Sequence, residues 1–98
     1  MPDVRALAAA YGVRVELADL GDWGSANLVA EYDPHGPVIR VNIRGSGCAE
    51  RAIAHELYHH REAIGEIPRI ANRGAREAAA DAFAEALLGI RAGAGGAA

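Results

Sequence analysis

Apolar positions fall into short stretches whose period changes along the chain. Over residues 3 to 11, Val4, Leu7, Ala8 and Tyr11 recur at helical spacing, and Gly12 follows where a left-handed residue would close a helix. Val13, Val15 and Leu17 then alternate with Arg14 and Glu16, the period-two pattern of a half-covered strand. Asp19 to Ser25 reads as loop. Residues 26 to 32 carry Leu28, Ala30 and Tyr32 on one face, and residues 38 to 43 carry Ile39, Val41 and Ile43 opposite Arg40 and Asn42. Between these runs, Asp33-Pro34-His35-Gly36 is turn chemistry, so the two are expected to form a hairpin.

Arg44-Gly45-Ser46-Gly47 leads into a helix predicted over about 48–64, with Ser46 or Gly47 as N-cap and Glu50 in the first turn, where the helix dipole favours a carboxylate. Gly65, Pro68 and Asn72-Arg73-Gly74 interrupt the chain before a last helix over about 75–91. Residues 92–98 are only Gly and Ala and read as a disordered tail. These elements predict a single α+β domain over residues 1–91, with a small, mostly antiparallel three-stranded sheet packed against the 48–64 and 75–91 helices. The strand at 26–32 is expected at the sheet edge, where an extended peptide can add.

Composition makes this core thin. Of 98 residues 51% are apolar, but 23 are Ala and only five are aromatic, and small domains with such cores usually carry a staple. Cys48 is the one cysteine, which excludes an internal disulfide, leaves a metal or a partner subunit, and fits a reduced, cytoplasmic setting. A net charge of -3 gives no general pull toward nucleic acid or anionic lipid. No run of about 18 apolar residues occurs, so neither a membrane span nor a signal peptide is expected.

The chemistry-bearing pattern is His55-Glu56-Leu57-Tyr58-His59, an HExxH motif inside the predicted helix. Residues four apart share a helix face, so the two imidazoles can converge on one ion, which points to Zn2+. Glu56 is rotated by about 100° from His55, within reach of a water on that ion, as a general base requires. The third ligand is assigned to Glu77, and Asp81, one turn on, is placed to accept from the outer nitrogen of His55. Both acids share a stripe with Ala84 and Leu88, where unpaired carboxylates would be costly to bury. Read alone, acids near a helix start only complement its dipole; beside two histidines they read as ligands.

Other residues are read more plainly. His60 could donate to a developing oxyanion, with exposure to solvent the stronger reading, and Tyr58 could contact the transition state, with helix packing the commoner outcome. His35 is expected exposed in its turn. Cys48 is expected as a small buried hydrophobe, with a fourth-ligand role as its alternative. Trp23 fits either a substrate contact or a loop anchor.

His55-Glu56-Leu57-Tyr58-His59 followed by Glu77-Ala78-Ala79-Ala80-Asp81-Ala82-Phe83-Ala84 resembles the HExxH plus E-x-x-A-(N/D)-x-F-A pattern of the ImmA/IrrE metallopeptidases. Residues 6 to 15 resemble that family's opening helix and first strand, and Val38 to Asn42 its strand leading into the active-site helix. The resemblance covers most of residues 4 to 90, in a size similar to the minimal gluzincins. It implies a zincin-like fold, zinc held by His55, His59 and Glu77, and hydrolysis of a peptide bond in a protein substrate, such as a regulator. Tyr58 stands where that family usually has a small residue. The alternatives are a zinc-stapled regulatory or binding protein that cleaves nothing, and a latent minimal gluzincin.

Overall fold

The computed structural model describes residues 3–21, 30–44 and 48–89. Three helices and a three-stranded sheet occur in the order α1 (Val4–Ala10), β1 (Arg14–Ala18), β2 (Ala30–Asp33), β3 (Val38–Asn42), α2 (Ala49–Ala63) and α3 (Arg73–Leu88). Trp23, the first half of the strand read at 26–32, the caps assigned to Ser46 or Gly47 and the 92–98 tail lie outside the described residues. Among the described residues, no helix is long and apolar enough to cross a membrane.

α1 begins where the Asp3 side chain accepts from the backbone N–H groups of Arg5 and Ala6. Its inward residues Val4 and Ala8 are buried, Leu7 and Tyr11 pack against the same core, and Gly12 ends the helix at φ +73°. β2 and β3 form the expected hairpin, with Asp33 accepting from the His35 N–H in the turn. A Cβ on Gly36 would lie 2.7 Å from the Val38 nitrogen, so the turn closes too tightly for any side chain there.

The sheet departs from the predicted mostly antiparallel form. Its order is β1-β3-β2, with β3 antiparallel to β2 but parallel to β1, giving a mixed sheet. Period-two alternation is the same in both directions, so the pattern carried no information on this pairing. β3 is central and buried at Val38, Ile39, Val41 and Asn42, whereas β2 and β1 are edges. Two of the residues assigned to inner faces are exposed. Leu17 is 75% exposed because the cover on β1 reaches Val13 and Val15 only, and Ile43 is 62% exposed because β3 ends at Asn42. Asn42, assigned to the outer face, is instead buried: its side chain accepts from Leu20 and Arg44 N–H and donates to the Gly21 carbonyl, tying the ends of β1 and β3.

α2 packs Ile53, Ala54 and Leu57 into the core, and α3 packs Ala80, Ala84 and Leu88. Alanines on α3 let the two helices approach closely, since no side chain beyond Cβ separates them. The N-cap of α2 is Cys48, whose side chain makes no capping hydrogen bond and is exposed rather than buried. Asn72 caps α3 by accepting from the Ala75 N–H, so the helix starts two residues before the expected Ala75; it ends at Leu88, where Gly89 takes φ +70°, rather than running on to 91.

His60 is the other correction. It is 4% exposed rather than solvated: the Tyr32 hydroxyl lies 2.7 Å from its Nδ1, and the Tyr11 and Tyr32 rings meet it edge-on. Burial lowers its pKa, which favours the neutral ring that accepts from Tyr32. The contact ties β2 to α2. Tyr32→Phe leaves a buried ring nitrogen without its donor, and urea denaturation should report a loss of about 1–3 kcal/mol with unchanged m value.

Candidate metal centre

Helical geometry builds most of the site on α2. His55, His59 and Glu62 follow one another at steps of four and three residues along the face beside the buried Ile53-Leu57-His60 row. α3 brings Glu77 and Asp81, one turn apart, against that face. The side chains of His55, Glu56 and His59 are 17–19% exposed, and those of Glu77 and Asp81 are 45% exposed, so the acids lie at the rim of the α2–α3 seam rather than deep within it.

His55, His59 and Glu77 form a group that can hold a metal ion. The Nε2 atoms of the two histidines are 3.3 Å apart; Glu77 sets Oε1 3.0 Å from His55 Nε2 and Oε2 3.2 Å from His59 Nε2. Tetrahedral ligand atoms bonded at about 2.0–2.1 Å to one ion lie about 3.3 Å from each other, which these separations match. The outer nitrogens are also engaged. His55 Nδ1 lies 2.7 Å from Asp81 Oδ1, and His59 Nδ1 lies 3.1 Å from Glu62 Oε1.

These contacts decide where the protons go. A neutral imidazole has one N–H, and donation of that hydrogen from each Nδ1 to its carboxylate leaves both Nε2 lone pairs converging with the Glu77 oxygens. Electron pairs gathered in that way repel each other unless a cation lies among them. The residues therefore fit a divalent ion, by donor chemistry as well as by spacing.

Glu56 stands beside this group, with Oε2 4.0 Å from His55 Nε2. Burial pushes its carboxyl up from the ordinary value, more than the two histidines draw it down. Tyr58 is 9% exposed and packs its ring near His59 and Phe83, a helix-packing role. His35 is exposed in its turn, and neither it nor Cys48 belongs to the metal-holding group found among the described residues.

The motif reading missed Glu62. Its side chain is only 6% exposed, and one oxygen is spent on His59. The signal was present: Glu62 is three residues past His59, so it shares the face of both histidines. Arg51 was missed as well; its guanidinium donates to Glu85 at 3.0 Å and lies 3.6 Å from Asp81, holding the α3 acids toward α2. Comparison with protein-family models, curated proteins and solved structures finds no match to the chain.

Two outcomes follow from this geometry. Glu62→Ala and Asp81→Asn should each weaken binding of a divalent ion, probed with Zn2+ by competition with a chromophoric chelator, by about 10- to 100-fold, because each carboxylate orients a ring of the candidate group. The raised Glu56 pKa means that the folded, metal-free chain resists ionisation of this group; the resulting destabilisation is complete above the raised folded-state pKa, shrinks as pH falls from there toward the unfolded-state value, and is absent below it. Metal-free Glu56→Gln should therefore melt at higher temperature than the parent at pH 7, with the difference shrinking as the pH is taken down through the ordinary carboxylate range.

Proposed function

We propose that the chain is a zinc-dependent metallopeptidase of the gluzincin kind, hydrolysing a peptide bond in a protein substrate. The observation that carries this reading is the convergence of His55 Nε2, His59 Nε2 and a Glu77 carboxylate, with the buried carboxyl of Glu56 beside them. Three protein ligands leave a coordination position open, whereas a purely structural zinc site is usually closed by four. The motif pair's resemblance to the ImmA/IrrE metallopeptidases, and the packing of α2 between a small sheet and α3, support the same reading and a zincin-like assignment of the fold.

Zinc held by His55, His59 and Glu77 would supply Lewis acidity, which makes a water more acidic and a carbonyl more electrophilic. The remaining work falls to the protein. Glu56 takes a proton from the attacking water and later delivers it to the departing amine, so one carboxyl serves as base and then acid. Its raised pKa suits both halves of that exchange, because a carboxyl that ionises reluctantly also returns its proton readily. Asp81 and Glu62 keep the two rings in the tautomer that turns Nε2 inward. β2, an edge strand among the described residues that contacts α2 through Tyr32 and His60, is where an extended peptide adds by main-chain hydrogen bonds.

The rival is a zinc-stapled binding protein or a latent form, in which the same cluster only joins α2 to α3. The experiment that separates them compares the zinc-loaded chain with Glu56→Gln on casein and on repressor-type proteins. Glu56→Gln should retain the metal and lose at least about 100-fold in turnover, while His59→Ala and Glu77→Ala lose both metal and turnover. Equal turnover by Glu56→Gln rejects the base, and no turnover by any form favours the staple.

A further inference from the structure

Beside the candidate metal centre lies a cavity of about 410 Å³ lined by His59, Glu62, Ala63, Arg69 and Arg76. It shares His59 with the metal-holding group and Glu62 with the contact that orients His59. Two cationic side chains enter one small space. Arg76 stands in the first turn of α3, immediately before Glu77, and Arg69 in the segment joining α2 to α3.

The polar groups in this wall are incompletely used. Glu62 Oε1 faces the His59 ring, but Oε2 is buried and accepts from no group; Arg76 Nε is likewise buried and donates to none. Among the described residues, neither guanidinium is joined to a carboxylate within 4 Å or takes part in a hydrogen bond. Burying a donor without an acceptor costs about 1–3 kcal/mol, so such groups in a native wall call for an explanation. Two guanidiniums against one carboxylate leave the cavity with an excess positive charge. The wall thus presents two guanidiniums without a carboxylate partner, which suit an anion such as the carboxylate of a peptide. Guanidinium groups match that anion well, through paired N–H donors in a fixed fork.

We propose that this cavity is a substrate subsite that takes a carboxylate of the peptide, with Arg69 and Arg76 as its donors. The carboxylate comes from an acidic side chain or from a chain terminus. The proposal rests on the hydrolase reading above, which it deepens by naming a class of substrate.

The test uses the full chain and three peptides at low ionic strength: acetyl-Ala-Ala-Glu-Ala-Ala-amide, its Gln counterpart, and the Gln counterpart with a free terminal carboxylate. Binding is read first on the metal-free protein, by titration followed at the arginine Nε–H signals in 15N–1H spectra. The Glu peptide should bind about tenfold more tightly than the Gln peptide, moving the Arg76 signal, and Arg69→Gln or Arg76→Gln should bring that ratio near one. Arg69 is exposed and its side chain is joined to no other group among the described residues, so its variant reports on the subsite even if Arg76→Gln disturbs α3. If the free-terminus peptide shares the gain, the subsite takes a chain end; if only the Glu peptide gains, it takes a side chain. Equal binding of all three peptides overturns the proposal. Hydrolysis by the zinc-loaded chain is then compared. Equal cleavage of the Glu and Gln peptides removes the subsite and leaves the hydrolase standing, whereas a binding preference with no cleavage of any peptide removes the hydrolase and leaves the subsite.

Discussion

The arrangement depends on the electrostatics of one seam. Where α2 meets α3, Glu56, Glu62, Glu77 and Asp81 surround the two imidazoles of His55 and His59, and Arg51 stands near Asp81 at 3.6 Å. Carboxylates drawn together in a half-covered cleft repel one another, and imidazoles offering lone pairs inward add to the excess of negative potential. A divalent cation reverses the sign of that balance. The apolar side chains that α3 buries along the same seam are Ala80, Ala84 and Leu88, which is little apolar volume for the charge it supports. The thin core and the site are therefore one problem, and a bound ion addresses both.

One helix carries most of the solution because its residues step by about 100°. Ile53, Ala54 and Leu57 face the sheet, His55, Glu56, His59 and Glu62 face α3 or the cleft, and His60 returns to the core as a polar contact for Tyr32. A rotation of α2 about its axis would expose the core row and bury charge at once. The Tyr32 to His60 contact opposes that rotation from the β2 side, while Arg51 to Glu85 opposes it from the α3 side. The orientation of the histidines is thus fixed by contacts made several residues from the atoms that would hold a metal.

Legibility in the sequence follows the range of the interaction. α1, the hairpin and the two long helices were readable because spacing, turn residues and caps act over a few positions. His55 and His59 were readable for the same reason. Parallel pairing of β1 with β3 was not, since alternation says which face a residue takes and nothing about the neighbour's direction. The burial of Asn42 and His60 depends on partners far away in the chain, Leu20 and Gly21 for one and Tyr32 for the other, so type alone assigned both to water. Leu17 and Ile43 failed in the opposite sense: the alternation continued past the point where other elements cover it. Glu62 was within local reach, as an acid three residues beyond His59, but a motif defined by its ligands gives no reason to look one step outside it.

Glu62 also links the two halves of the functional reading. One oxygen faces His59 Nδ1, the other is buried, and the side chain borders the arginine-lined cavity. Its charge acts both on the imidazole of His59 and on the guanidiniums of Arg69 and Arg76 at the cavity. The candidate metal group and the arginine-lined cavity are in that sense joined by one side chain, and the short step from His59 to Glu62 along α2 is what links them.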